Sequence, residues 1–144
     1  MVAQMQLNAL VANMFAIGLL DDQFQQLQMI QARSAPGFIA EIVTIFCKDG
    51  GRDIDELAKI LKRPRVDFKE VGNILFKLMG SSASIGARRV NSSCIQFKEF
   101  YEEKNRYGCL KTLDVVRNEF FDLRIKFQTM LQLEQQVWTF YPKQ

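Results

Sequence analysis

Residues 66–87 read VDFKEVGNILFKLMGSSASIGA. The stretch opens with a helix start signal. Asp67 offers a carboxylate to free backbone N–H groups, and Glu70, three residues on, is spaced to reach back in a capping box. Pro64 lies just upstream, outside the helix. Phe68, Val71, Leu75, Leu78 and Ser82 then recur at intervals of three and four, which is one helical face. A second stripe of Gly72, Phe76, Met79 and Ala83 runs about 100° round the same helix. Two apolar or small stripes need two things to pack against. Either the helix is central and buried on both sides, as aromatic and Met stripes usually are, or one stripe faces the core and the other faces a partner protein.

The composition frames that choice. A chain of 144 residues suits one domain, residues 1–144, with a single core. Its 48% hydrophobic and 24% charged residues are ordinary for a soluble globular protein. A net charge of +3 is too small to argue for nucleic acid or an anionic membrane surface. Cys47, Cys94 and Cys109 are odd in number and far apart, which fits free thiols in a reducing compartment better than a disulfide framework. The chain has no His and no close set of ligands, so no zinc site, other metal or cofactor is expected. Three Pro and eight Gly leave little room for a turn-rich β architecture.

The first twenty residues carry no charged side chain. They lack a basic leader, and Gln4, Gln6, Asn8 and Asn13 interrupt the apolar run, so neither a signal peptide nor a membrane span is expected. Met5, Leu10, Met14 and Ile17 instead predict an amphipathic helix over residues 2–17, ending near Gly18. Asp21 or Asp22 caps a short second helix with Phe24, Leu27 and Ile30 as its stripe. Ser34-Ala35-Pro36-Gly37 is a break. Phe38, Ile42, Ile45 and Phe46 open a third helix, continued by Ile54, Leu57, Ala58 and Leu61. Gly50-Gly51 in its middle predicts weakening, a kink or a split, since each Gly costs about 0.8–1.0 kcal/mol relative to Ala.

Lys59, Lys62, Arg63, Arg65 and Lys69 cluster at the following turn and read as a solvated helix end, where cations are favourable. Beyond the central helix, Gly86 punctuates. Val90, Cys94, Ile95, Phe97, Phe100 and Tyr101 give a fifth helix stopping near Asn105, and Gly108 marks the next turn. Leu113, Val116, Phe120, Leu123, Phe127, Met130 and Val137 step along a long final helix. Trp138, Phe140 and Tyr141 give it an aromatic end, and Pro142 stops it. No strand is expected. About six helices joined by short turns predict an all-α, antiparallel helical bundle.

A resemblance rests on three of these segments. Phe76-Lys77-Leu78-Met79-Gly80-Ser81-Ser82-Ala83-Ser84-Ile85-Gly86-Ala87 resembles the central motif of plant histidine-containing phosphotransfer (HPt) proteins, His-x-x-Lys-Gly-Ser-Ser-x-Ser-Ile-Gly-Ala. Residues 18–28, GLLDDQFQQLQ, and Leu133-Glu134-Gln135-Gln136 are similar to segments of the same family, as is CIQFKEFYEEKN within the fifth helix. The resemblance covers residues 18–136 and implies a four-helix bundle with two additional N-terminal helices. It departs from the family at the head of the motif. Phe76 stands where the family keeps its phosphorylated His, and Met79 where it keeps Lys. What the chain resembles is therefore the pseudo-phosphotransfer branch, which lacks the acceptor.

That branch implies a binding module and no catalysis. A phenyl ring has no lone pair to attack a phosphoaspartate, and a thioether places no charge beside a phosphoryl group. Ser81, Ser82 and Ser84 have no His as base, and Gly80-Ser81-Ser82 is not a phosphate-binding loop. By resemblance the partners are receiver domains of hybrid sensor kinases and response regulators, in the phosphorelay that carries cytokinin signals in cytoplasm and nucleus, met by a monomer. The docking surface would centre on Phe76 and Met79, with Gly80 allowing close approach, Lys77 and Asn73 at the rim, Gln23 and Gln26 supplying polar contacts from the second helix, and Phe24 split between core and edge. The alternative is a helical adaptor or structural protein whose second stripe is buried. Exposure of Phe76 and Met79 discriminates the two.

Overall fold

Backbone N–H groups at the start of the central helix find the Asp67 carboxylate, which accepts from Lys69 at 3.1 Å and Glu70 at 3.2 Å. Glu70 does not complete the box. Its Oε2 takes the Arg63 guanidinium at 3.1 Å, because the preceding helix ends beside it and offers a full charge. The helix stops at Gly86, whose φ of 78° lies in the left-handed region and whose N–H returns to Ala83 and Ser82 carbonyls.

The computed structural model describes residues 2–34 and 36–140. Along them run α1 (Val2–Ala16), α2 (Asp22–Ser34), α3 (Phe38–Lys62), α4 (Phe68–Ile85), α5 (Arg88–Glu102) and α6 (Arg106–Phe140). Ala35 of the expected break, and Tyr141 and Pro142 of the aromatic end, lie outside the described residues.

Helices α3 to α6 pack in a closed ring, each on the next and α6 back on α3, while α1 lies on α6 and α2 on α3 and α4. Val71, Leu75, Leu78 and Ser82, the first stripe of α4, are buried inside this ring. Phe15, Phe24, Phe127, Phe46 and Phe120 form a chain of rings with successive centroids 6.1, 5.9, 6.5 and 5.6 Å apart. They carry the core from the N-terminal helices into the bundle. The α1–α2 and α4–α5 loops are also stitched together: the Asp21 N–H donates to the Gly86 carbonyl at 3.0 Å, and the Arg88 N–H to the Leu19 carbonyl at 3.2 Å.

Two glycine readings change. Helix α3 runs unbroken through Gly50-Gly51, because Gly50 is a contact rather than a hinge: a Cβ there would enter the Phe120 ring of α6. Gly108 is no turn either. It lies inside α6 against the Phe100 ring, and the cap is Asn105, whose Oδ1 accepts the Gly108 N–H at 2.9 Å. Several predicted stripe members face solvent, namely Met5, Ile17, Ile30, Ile45 and Ile95. Alternative residues on the same helices take the core positions: Leu7 and Val11 beside Met14 in α1, Ile39 and Val43 in α3.

Candidate functional site

Helix α4 keeps one side open. Asn73, Phe76, Lys77, Gly80, Ala83 and Ser84 are exposed along it. Their spacing of three and four makes a strip opposite the buried Val71, Leu75, Leu78 and Ser82. Phe76 lies in this strip with 48% of its surface accessible. Its ring meets that of Tyr101 from α5 in a T-shaped pair, centroids 5.8 Å apart and planes at 88°.

The second stripe is therefore divided. Gly72 is buried, with the Tyr101 hydroxyl occupying the space a Cβ would take. Phe76 is half covered, Met79 is half-buried against the core, and Ala83 is exposed. Met79 is thus a flank and not a centre. It lies beside α5, where its carbonyl accepts from Asn91 Nδ2 at 3.0 Å.

Lys77 is nearer the middle of the exposed strip than the rim position expected of it. Its ammonium stands 2.9 Å from Asp53 Oδ1 on α3; the Lys77 side chain is 57% exposed and that of Asp53 only 5%. Gly80 has nothing within 4 Å of where a Cβ would lie, so its backbone is bare to an approaching surface. The serines have local employment. Ser81, Ser82 and Ser84 donate to the carbonyls of Leu78, Met79 and Gly80 at 3.1, 3.0 and 2.9 Å.

On α2, Gln23 and Gln26 are exposed. Phe24 is not at an edge. It is fully buried between Phe15 and Phe127, because α2 closes over the bundle here and the ring fills the space between them. Its ring has no accessible surface and belongs to the core.

Two features were missed in the sequence. Beside Phe76 and Tyr101 runs a groove lined by Lys69, Lys98 and Lys104, with Asp67 and Glu102 among them. These cations come from three separate segments, and no local pattern joins them. Asp53 did leave a signal: it falls at core spacing with Phe46, Gly50, Leu57 and Leu61, an acidic residue in a buried stripe. The cysteines offer no nucleophile. Burial pushes Cys47 to about 11, Cys94 to about 12 and Cys109 to about 11, leaving negligible thiolate at neutral pH. Among the described residues no group of His, Cys, Asp or Glu is placed to hold a metal ion, and no helix is long and apolar enough to cross a membrane.

Bundle and strip together define a class: helical-bundle proteins in which the outer face of one bundle helix is left open. Comparison with known proteins makes the class specific. The Hpt domain model matches residues 41–136. The chain is 62% identical over 138 residues to Histidine-containing phosphotransfer protein 1 of Oryza sativa subsp. japonica, covering 96% of this chain and 94% of that one. It is 40% identical over 134 residues to Pseudo histidine-containing phosphotransfer protein 6 of Arabidopsis thaliana, covering 92% and 87%. The crystal structure of the maize histidine-containing phosphotransfer protein ZmHP2 superposes with a TM-score of 0.91 at 57% identity, covering 94% of this chain and 99% of that one. The chain belongs to the histidine-containing phosphotransfer family.

Proposed function

We propose that this protein is a non-phosphorylatable member of its family that docks on receiver domains and inhibits a plant His–Asp phosphorelay, the cytokinin pathway by family resemblance. One observation carries the reading. The outward face of α4 holds a half-exposed Phe76 at the motif position of the acceptor His, in a chain that contains no His. Overall similarity is higher to a relative named as a phosphotransfer protein, at 62%, than to one named as a pseudo-phosphotransfer protein, at 40%. The reading is supported instead by the chemistry at position 76: nitrogen phosphorylation needs a ring lone pair, and a phenyl ring has none. On this reading the chain is not an enzyme and uses no cofactor. It acts as a monomer in cytoplasm and nucleus. The apolar ring at the centre of a shallow face flanked by cations suits an acidic pocket ringed by apolar surface.

The test is competition. A phosphorylated receiver is mixed with an acceptor-bearing phosphotransfer protein and increasing amounts of this chain. The chain should take up no acid-labile label and should slow transfer in proportion to its concentration. Phe76→Asp, shown by circular dichroism to fold, should abolish the slowing. Label uptake at the rate of an acceptor-bearing member overturns the reading. A folded Phe76→Asp variant that inhibits like wild type moves the interface off α4. The partial burial of Met79 and the cover Tyr101 gives Phe76 favour a second reading, a helical adaptor with receiver binding lost. Absence of any slowing by wild type would establish it in place of the first.

A further inference from the structure

Asp53 sits among core-facing residues of α3, where a carboxylate is costly without a counter-charge. Lys77 supplies that charge from α4 at 2.9 Å. An ammonium has three N–H donors, more than one ion-pair contact with Asp53 Oδ1 can occupy. With 57% of its side chain accessible, Lys77 keeps donor capacity toward the outside. The carboxylate thus holds a flexible four-carbon stem in one place, beside Phe76 on the exposed strip. Lys69, Lys98 and Lys104 line the groove on the other side of the ring, with Asp67 and Glu102 among them. Phe76 therefore has Lys77 on one side and a groove of mixed, net positive charge on the other, although Met79 adds no charge.

We propose that Asp53 positions the Lys77 ammonium as the cation this face presents to a cluster of carboxylates on a docking protein, so that Lys77 and Phe76 form one recognition element. The proposal rests on the receiver-docking reading above and names the group that gives it charge selectivity. Lys77 makes the contact. Asp53 is a positioning residue: by fixing the stem beforehand it removes an ordering cost from the bound state. A charge held at the edge of an apolar anchor acts on the approach of the partner, and its fixation acts on residence.

The experiment measures association and dissociation of the full chain on immobilised receiver domains, a panel from rice hybrid sensor kinases and response regulators, at low and high salt. Asp53→Asn with Lys77→Gln replaces the ion pair by two amides, which guards the fold. This double variant should bind about tenfold more weakly, with a shallower salt dependence of association. Asp53→Asn alone keeps the ammonium but loosens it; salt dependence should persist while dissociation quickens several-fold. Lys77→Arg should bind within about twofold of wild type. A double variant with wild-type affinity and salt dependence overturns the proposal and leaves the pair a tie between α3 and α4. Wild-type dissociation in Asp53→Asn removes Asp53 from it. If Phe76→Asp abolishes binding while the pair variants do not, this inference fails and the docking reading stands. If wild type binds no receiver in the panel, both fail.

Discussion

The Tyr101 ring fills the place where a side chain at position 72 would begin, and the same ring packs against Phe76 one turn further along α4. Gly72 and the exposed aromatic are thereby linked through α5. Gly72→Ala would gain about 1 kcal/mol of helix propensity but would push Tyr101 off its seat, an overpacking cost of roughly 1–3 kcal/mol. The net expectation is destabilisation in a denaturant titration. Tyr101→Ala in the same chain should turn Gly72→Ala from destabilising to neutral or better. Additive effects in that double-mutant cycle would show that the two positions do not meet.

Two substitutions test what position 79 can contribute to phosphoryl transfer. Phe76→His restores the nitrogen and should allow slow phosphoryl uptake. Adding Met79→Lys brings charge to the flank of the same helix and should raise the rate by about tenfold or more, below the full loss seen when a buried oxyanion donor is removed. Single-turnover uptake of label from a phosphorylated receiver checks both. Equal rates for the single and double variants would mean that a cation at position 79 does not reach the phosphoryl group.

Neighbouring glycines of α3 should respond in opposite directions. A methyl group at Gly50 enters the Phe120 ring, so Gly50→Ala should destabilise by roughly 1–3 kcal/mol. At Gly51 the nearest atoms are Arg124 Nη1 at 3.4 Å and Phe120 Cε1 at 3.9 Å, ordinary contact distances. Gly51→Ala should therefore stabilise by up to about 1 kcal/mol. Midpoints of urea unfolding decide the matter, and a shared sign would refute the assignment of Gly50 as the contact.

Burial raises the Glu134 carboxyl above its ordinary range. Such a group favours the folded state fully only while protonated. That advantage is lost as pH rises from the unfolded value through the native one. Glu134→Gln should consequently gain stability over wild type at neutral pH and lose the gain in acid. Trp138, the single tryptophan, lines the same groove as Glu134 and gives a fluorescence readout of unfolding at each pH. A pH-independent difference would contradict the shift.

Much of the fold was legible because it depends on spacing. The Val71, Leu75, Leu78, Ser82 stripe and the α6 series from Leu113 to Met130 follow helix period, and tertiary packing left them in the core. What spacing does not carry is rotation about the helix axis by a few tens of degrees. Ile30, Ile45 and Ile95 border their stripes and were left outside once neighbours took the room. Glycine is ambiguous for another reason. It signals either a backbone freedom or a missing Cβ: Gly86 uses the first, Gly50, Gly72 and Gly108 the second, and only the facing ring tells which. At the site, Phe76 could be placed from its motif, but its lysine-lined groove, and the partner of Lys77, are assembled across helices.

The stitch between the α1–α2 and α4–α5 loops bears on recognition. Gln23 and Gln26 stand on α2 and Phe76 on α4, in sequence segments some way apart, yet crossed backbone bonds at Asp21–Gly86 and Leu19–Arg88 join the ends of those helices. On the docking reading proposed above, Gln23, Gln26 and Phe76 are held at one spacing, and selection among related partners becomes a matter of fit to that spacing as well as of chemistry. Amides of Asp21 and Arg88 should accordingly exchange with solvent as slowly as those of the helix interiors, although Asp21 lies in a loop and Arg88 is the first residue of α5.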